Sequence, residues 1–599
     1  MNRFLESIRS RPLAVVVAIT TPLMVVLWHL LALAGRPPHL NQVVAELGST
    51  MRFVANPSPN HAGTRLVFIQ TTEHGYGVFF SEAPGKRTLL YEQLNQGAGY
   101  GNLDEALLGW SPEDECFAYS RHTTGWEIVI CDGNTGAQTG VAPANCLVSA
   151  AAWLGPEVFA VADDRRVLGT VRRHHDQWVQ PQPFKCFSST NPGGEAPNPA
   201  DEPSPAGQPD LRIQGLAAYD PDAVVWQQGG TLYACGPDSD APIKVWESEP
   251  GNRLLEFAAA QPRKVLVHCR DTRGEYLARC YPTNHLRDVI RIQANGARPN
   301  HLMLLSDGEG CAYFTQSSGE PDRLVLKPGG ALPATETQWQ DQVRYFAAGH
   351  DAVYVVSSLN DQPPGIWRCQ ADYGATECVV PNVEKRFRYA LNSRIAVENI
   401  TNSAGEALAA YVMARTRLTG QRKHPLLIGI LGYQEMGFTW SANHEAIANC
   451  GAFFVSVDRR QRGYSQWADD AFAAYETLIK RPEIDANKVY LYGDSAGTSI
   501  VYELLAQHPK LWRGVILFSP THFPDPARLP DLRIFIDNGG ADPNFGPRGM
   551  EVPMDFQDNA AKAGIPVTLI IHPGLGHIFR MPAGERERMR EALIFLGGG

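Results

Sequence analysis

Residues 489–500 read Val-Tyr-Leu-Tyr-Gly-Asp-Ser-Ala-Gly-Thr-Ser-Ile, and this stretch decides the fold. An apolar strand, Val489–Tyr492, runs into Gly493-Asp494-Ser495-Ala496-Gly497 and then into a segment of helical character. This is the G-x-S-x-G arrangement, in which a serine stands on a sharp strand-to-helix turn. The turn leaves little room for side chains two residues before and after the serine, which accounts for Gly493 and Gly497. Its strain lifts Ser495 Oγ clear of the sheet, and the helix N-terminus aims the Ala496 N–H at a developing oxyanion. A bare match of this pattern also occurs in ordinary loops. The strand before it and the helix after it are what mark an elbow.

Working outward, residues 395–599 alternate apolar strands with helical stretches. The strands are LLIGIL, FFVSV, VYLY, GVILFS, RIFIDN and VTLIIH; the helices lie near Ser441–Cys450, Trp467–Lys480 and Asp555–Gly564, with one more at the C-terminus. Such alternation with continuous apolar strands predicts a parallel sheet covered on both faces, an α/β-hydrolase domain. In that fold an acid and a histidine follow the serine, each in the loop after a strand. RIFIDNGGADPNF offers Asp537 and Asp542; VTLIIHPGLGHIF offers His572 and His577. Asp542 and His577 lie beyond their strands, behind glycines, and are the expected partners of Ser495. Asp537 and His572 end the strands themselves and read as structural. The chemistry that follows is general-base activation of Ser495 by His577, oriented by Asp542, through an acyl-enzyme. Ala496 supplies one oxyanion donor, and Tyr433, in the loop after LLIGIL, the other.

The region 43–390 has a different texture, with short strands punctuated by Gly, Pro, Asn and Asp. Pro57-Ser58-Pro59 precedes TRLVFIQ and YGVFFSEAPGKRTLLY; Trp110-Ser111-Pro112 precedes ECFAYSR and WEIVICDGNTG; more degenerate copies follow. All-β units recurring at this period predict an all-β propeller of about seven blades, with a pair of β-sandwiches as the alternative. Residues 188–210, rich in Pro, Gly and Ser, form an insertion without the apolar residues a core needs.

Residues 1–38 read as a cytoplasmic tail and a transmembrane anchor. Leu13–Ala34 carries no Asp, Glu, Lys or Arg, and Arg3, Arg9 and Arg11 precede it. This predicts a single-pass N-terminal transmembrane helix, with the N-terminus cytoplasmic and the catalytic domains extracytoplasmic or periplasmic. Ala32-Leu33-Ala34 leaves a cleaved signal peptide, and thus a secreted protein, open. Cys116/Cys131, Cys269/Cys280 and Cys369/Cys378 bracket short turns and are candidate disulfides for an oxidising compartment, with buried free thiols as the other reading. Net charge of −10 and a pI near 6.0 argue against a nucleic-acid partner. No metal ligand set and no cofactor is read. The partners expected are the membrane and a short peptide or small acyl substrate; a homodimer stays open.

HPLLIGILGYQEMGFTW, VDRRQRGYSQWADDAFAAYETLI, RPEIDANKVYLYGDSAG, GGADPN and HPGLGHIF, in this order, resemble the catalytic domain of the prolyl oligopeptidase (S9) family of serine peptidases. The likeness extends over residues 395–599, and a propeller before that domain is what the family carries. With an anchor added, the chain is similar to the dipeptidyl peptidase IV branch. The resemblance implies hydrolysis of short peptides, with the propeller limiting substrate size. The chain departs from the family at Leu431-Gly432-Tyr433-Gln434, where a Tyr-Gly-Gly-Pro-like loop is common, and at Thr498, where a second glycine is usual. The run from Ser495 to Asp542 is also short, with less room for the aromatic residues of a proline pocket. An esterase or acyl hydrolase on the same scaffold, or a non-catalytic propeller protein, therefore remains an alternative.

Overall fold

The computed structural model describes residues 54–597 apart from connecting segments, the longest being 95–106, 185–212, 328–334, 358–364, 382–392, 433–440 and 459–465. The expected anchor at 1–38 and the insertion at 188–210 lie outside the described residues. Among the described residues, no helix is long and apolar enough to cross a membrane.

From Val54 to Val380 the chain forms seven four-stranded antiparallel sheets, each built from consecutive strands. A lone four-stranded sheet exposes two faces, and stacking around a ring covers both. Every neighbouring pair of blades here has its own apolar cluster. Phe80 and Phe117 meet between the first two blades, and Trp226 and Phe159 belong to the clusters flanking the third. The last blade closes on the first, as Leu66 and Phe68 pack with Tyr354, Val356 and Ile366. Buried Tyr354 also donates its hydroxyl hydrogen to the Gly63 carbonyl at 2.8 Å. Among the described residues, closure therefore rests on side-chain packing between blades, with no strand exchanged between the first and last sheets.

The C-terminal domain is one eight-stranded sheet. Its strands are β1 (Ser393–Thr401), β2 (Ala407–Arg415), β3 (His424–Leu431), β4 (Phe453–Val457), β5 (Ile484–Asp494), β6 (Gly514–Phe518), β7 (Arg533–Gly539) and β8 (Val567–His572). The order across the sheet is β1-β2-β4-β3-β5-β6-β7-β8. From β4 to β8 neighbouring strands are parallel, so their C-terminal ends share one edge, where loops can converge on a site. The helices are α1 (Ala442–Asn449), α2 (Trp467–Leu478), α3 (Gly497–Gln507), α4 (Glu551–Lys562) and α5 (Pro582–Phe595). One face of the sheet packs with α2, α3 and α4, the other with α1 and α5. This double cover is why β3, β5 and β6 read as unbroken apolar runs.

Three expectations need correction. The sheet is mixed rather than parallel throughout: β1 pairs with β2, and β2 with β4, antiparallel. The β1–β2 hairpin was not visible because β1 alternates between half-exposed and exposed positions instead of forming an apolar run. Helix α4 begins at Glu551, a turn before the expected Asp555, because Pro553 sits in the first turn, where its missing N–H costs nothing. The described cysteines are free thiols. Cys116 pairs across the ladder with Asp132 and Cys131 with Phe117, so the two sulfurs point to opposite faces of the blade. Cys269 stands opposite Tyr276 and Cys280 opposite Val265, well out of step. Cys369 stands opposite Thr376 and Cys378 opposite Trp367. Burial pushes the thiols of Cys131, Cys269, Cys280 and Cys369 up to about 12.

Candidate active site

Strand β5 lies between β3 and β6, with Gly493 opposite Ile430 on one side and Leu517 on the other. It ends at Asp494, and Ser495 takes φ +46° before α3 starts at Gly497. For a non-glycine residue this conformation is costly, on the order of 1–3 kcal/mol, and persists only when its surroundings over-determine it. Here they do. The Ser495 N–H donates to the Phe518 carbonyl at 2.9 Å, extending the β5–β6 ladder by one step. The Thr498 hydroxyl donates to the Ser495 carbonyl at 2.6 Å, and Thr498 is fully buried. That bond gives a reason for threonine at the position where a second glycine was expected.

The glycine requirement at Gly497 is steric. A Cβ there would lie 2.0 Å from the Ile430 carbonyl oxygen, because the start of α3 is pressed against the end of β3. At Gly493 a Cβ would meet Val501 Cγ2 at 2.8 Å. Asp494, inside the elbow, turns its carboxylate back to accept the Gly432 N–H at 2.5 Å, which ties the loop after β3 to the serine. Ala496 is the N-cap of α3, so its N–H stands at the positive end of the helix. Tyr433, the other expected oxyanion donor, lies outside the described residues.

Asp542 and His577 come from the ends of β7 and β8. The two loops continue the ladder beyond the strands: the Gly540 N–H donates to the His572 carbonyl, and the Ala541 N–H to the Leu575 carbonyl, both at 2.8 Å. Gly539 permits this approach, since a Cβ there would lie 2.1 Å from the Gly576 carbonyl oxygen. The structure brings the three predicted side chains together. His577 Nε2 is 2.8 Å from Ser495 Oγ, and His577 Nδ1 is 2.7 Å from Asp542 Oδ2. The side chains of His577 and Asp542 are both 0% exposed. In so dry a setting an aspartate–imidazole hydrogen bond is strengthened by the low dielectric, and the imidazole can take the serine proton as its cation forms.

Asp537 and His572, set apart from that trio at the sequence level, form a second dyad. Both dyads are spaced by 35 residues because both bridge β7 and β8. His572 Nε2 is 2.8 Å from Asp537 Oδ2, and the Arg588 guanidinium of α5 donates to Asp537 Oδ1 at 3.0 Å while lying over the Phe518 ring. Asp537 is fully buried and Arg588 nearly so. Its charge is thus matched by Arg588, and the cluster fastens α5 to the strand ends that carry Asp542 and His577.

Two further features were not read from the sequence. Asn544 approaches His577 Nδ1 at 2.9 Å. Phe523, in the short segment between β6 and β7, stacks on Phe545 and Phe556 with centroids at 5.6 and 4.7 Å. Phe545 belongs to the 3-10 segment Pro543–Arg548 that Asp542 caps, so this aromatic group stands beside the acid. The G-G-A-D-P-N-F string held both Asn544 and Phe545, but only the turn places them. Among the described residues no cluster of His, Cys, Asp and Glu gathers to hold a metal ion.

A sequence family described as serine aminopeptidase, S33, matches residues 457–537, the stretch that carries the elbow. No curated protein sequence matches the chain. Among solved structures, the chain is similar to a prolyl endopeptidase from a study of two such enzymes, with 15% identity and a TM-score of 0.65, covering 94% of this chain and 92% of that one. It is similar to a puromycin-hydrolysing peptidase of Mycobacterium tuberculosis, with 14% identity and a TM-score of 0.65, over 94% and 96% of the two chains. It is also similar to oligopeptidase B of Leishmania major, with 11% identity and a TM-score of 0.65, over 93% and 89%. At these identities the shared property is the fold: a seven-bladed propeller joined to an α/β-hydrolase domain.

Proposed function

We propose that this protein is a serine peptidase that hydrolyses short peptides through an acyl-enzyme. Ser495 is the nucleophile, His577 the general base and then general acid, and Asp542 the group that fixes the imidazole tautomer and balances its cation. The observation that carries this reading is the unbroken chain Asp542–His577–Ser495, with contacts of 2.7 and 2.8 Å on a buried, strained elbow. In the reaction, His577 Nε2 removes the Ser495 proton as Oγ attacks the carbonyl carbon. The oxyanion meets the N-terminus of α3 at Ala496, with Tyr433 as the second donor. His577 then protonates the leaving amine, and water repeats the sequence to free the acid.

A peptide rather than a large protein is favoured by the propeller, since the same two-domain fold occurs in structures named as prolyl endopeptidases and a puromycin-hydrolysing peptidase. The Phe523 and Phe545 rings would offer an apolar wall to the acyl side chain. Ester hydrolysis is a second reading, favoured by the short segment between β6 and β7, which holds only the 3-10 turn Pro526–Arg528. Turnover of an aminoacyl-anilide beside a short acyl-nitrophenyl ester separates the two. A peptidase cleaves both and loses both in Ser495→Ala, whereas an esterase leaves the anilide intact. Residues 13–34 favour a membrane-anchored, extracytoplasmic enzyme nearer the dipeptidyl peptidase IV branch. Release of the full-length protein from membranes by alkaline carbonate would overturn that placement.

A further inference from the structure

Asn544 occupies an unusual position, and its role follows from proton bookkeeping at His577. Its side-chain amide nitrogen, Nδ2, lies 2.9 Å from His577 Nδ1, the same nitrogen that faces Asp542 Oδ2 at 2.7 Å. For Nε2 to receive the Ser495 proton, Nδ1 must already carry hydrogen. A nitrogen bearing hydrogen donates and cannot accept, so an amide NH2 turned toward it would set two donors against each other. A half turn of the carboxamide exchanges its oxygen and nitrogen at almost no cost in shape. Only the orientation with Oδ1 toward Nδ1–H is attractive.

We infer that Asn544 is a positioning residue for His577, accepting the Nδ1 hydrogen through its side-chain oxygen in a bond shared with Asp542. The same residue also steadies the acid. Its backbone N–H donates to Asp542 Oδ1 at 2.9 Å, as Asp542 caps the turn Pro543–Arg548. One residue therefore holds both halves of the dyad, the carboxylate from its main chain and the imidazole from its side chain. Burial points the same way. The His577 and Asp542 side chains are 0% exposed, while Asn544 itself is exposed. Its amide is thus the cover between a dry hydrogen bond and solvent. A second acceptor on Nδ1–H favours the imidazolium that forms as Ser495 attacks, and it restrains rotation of the ring.

This inference rests on the proposed serine chemistry, and two readouts keep their failures apart. The first is the rate of labelling by a fluorophosphonate, a probe that reports serine activation without needing peptide subsites. Asn544→Ala should slow labelling roughly 10-fold, the lower end for a hydrogen bond to a charged group, and lower kcat on a small nitrophenyl ester with KM unchanged. In Asn544→Asp, a second carboxylate beside Nδ1 favours the charged ring, so the acid limb of the pH–rate profile should move to higher pH. The second readout needs no turnover: the far-downfield proton signal of His577 Nδ1–H, identified by its loss in His577→Ala. In Asn544→Ala it should shift and broaden by exchange with water, while the melting temperature stays close to that of the unaltered protein. An unchanged signal and a labelling rate within twofold would overturn the inference. So would an effect confined to KM for peptides, because that marks a contact with substrate rather than with His577. If the unaltered protein is not labelled at all, the serine chemistry fails, and the proton signal still decides the role of Asn544.

Discussion

The propeller and the hydrolase sheet distribute their apolar residues in opposite ways. The propeller divides them among separate clusters, one for each pair of neighbouring blades around the ring. The hydrolase domain concentrates them in two large clusters, one on each face of a continuous sheet. A ring of small cores tolerates local variation, since each blade needs to match only two neighbours. The sheet has no such freedom at its C-terminal edge, where Ile430, Phe518 and His572 place their carbonyls against the elbow and the loops that carry Asp542 and His577. The repeat is accordingly degenerate in sequence, whereas Gly493 and Gly497 of the elbow leave no room for a larger residue. Damage in one region should be thermodynamic, and in the other chemical.

The largest effect expected is chemical. Asp542→Asn should lower kcat about 10⁴-fold, because an amide in place of the carboxylate favours the wrong imidazole tautomer. The thermal transition should move little, since the side chain keeps its shape. Steady-state kinetics with a small ester together with calorimetry checks both halves. Phe68→Ala tests the converse. Phe68 is fully buried at the ring closure and stacks on Phe79 with centroids 5.7 Å apart. Its removal should cost about 3–5 kcal/mol of propeller stability in urea titration, yet leave kcat on the same ester within twofold. A fall in ester turnover that follows the loss of stability would break the comparison, because the ring would then be supporting the triad directly. Gly497→Ala sharpens it from the other side. The added methyl group must displace the end of β3 or the start of α3, an overpacking cost of about 1–3 kcal/mol. That is less than the Phe68 change, but it should abolish activity, as read by ester turnover in a protein that still melts cooperatively.

What could be read from the sequence follows the same division. Gly493 and Gly497 announced the elbow because the strand–turn–helix motif itself carries the requirement, although the atom Gly493 faces belongs to α3 and the atom Gly497 faces belongs to the distant strand β3. Asp542 and His577 could be proposed because they follow strands that end in glycine-bearing turns. Asn544 could not, since its side chain reaches His577 only after Asp542 caps the following turn. Strand β1 lacked an apolar run and so gave no signal of the antiparallel edge. In the propeller, the strand–turn–strand units were visible, but the register within them was not. A shift of one residue puts Cys116 opposite Asp132 and separates it from Cys131, which spacing alone could not disclose.

That register gives the smallest expected effect. The described cysteines are free, and burial pushes those of Cys131, Cys269, Cys280 and Cys369 up to about 12. At pH 8 these four thiols should be almost entirely protonated and unreactive toward a disulfide reagent in the native protein. In denaturant without reductant they should react fully. A mass equal to that of the disulfide-bonded chain, or thiols that appear only after reduction, would restore the cross-strand bridges and make the propeller the covalently held region.

The central claim is that Ser495 is an activated nucleophile, and active-site labelling tests it most directly. The native protein should take up one fluorophosphonate at Ser495, with labelling abolished in Ser495→Ala and reduced by orders of magnitude in His577→Ala. Undiminished labelling of Ser495→Ala, or a native protein that is not labelled at all, would contradict the account.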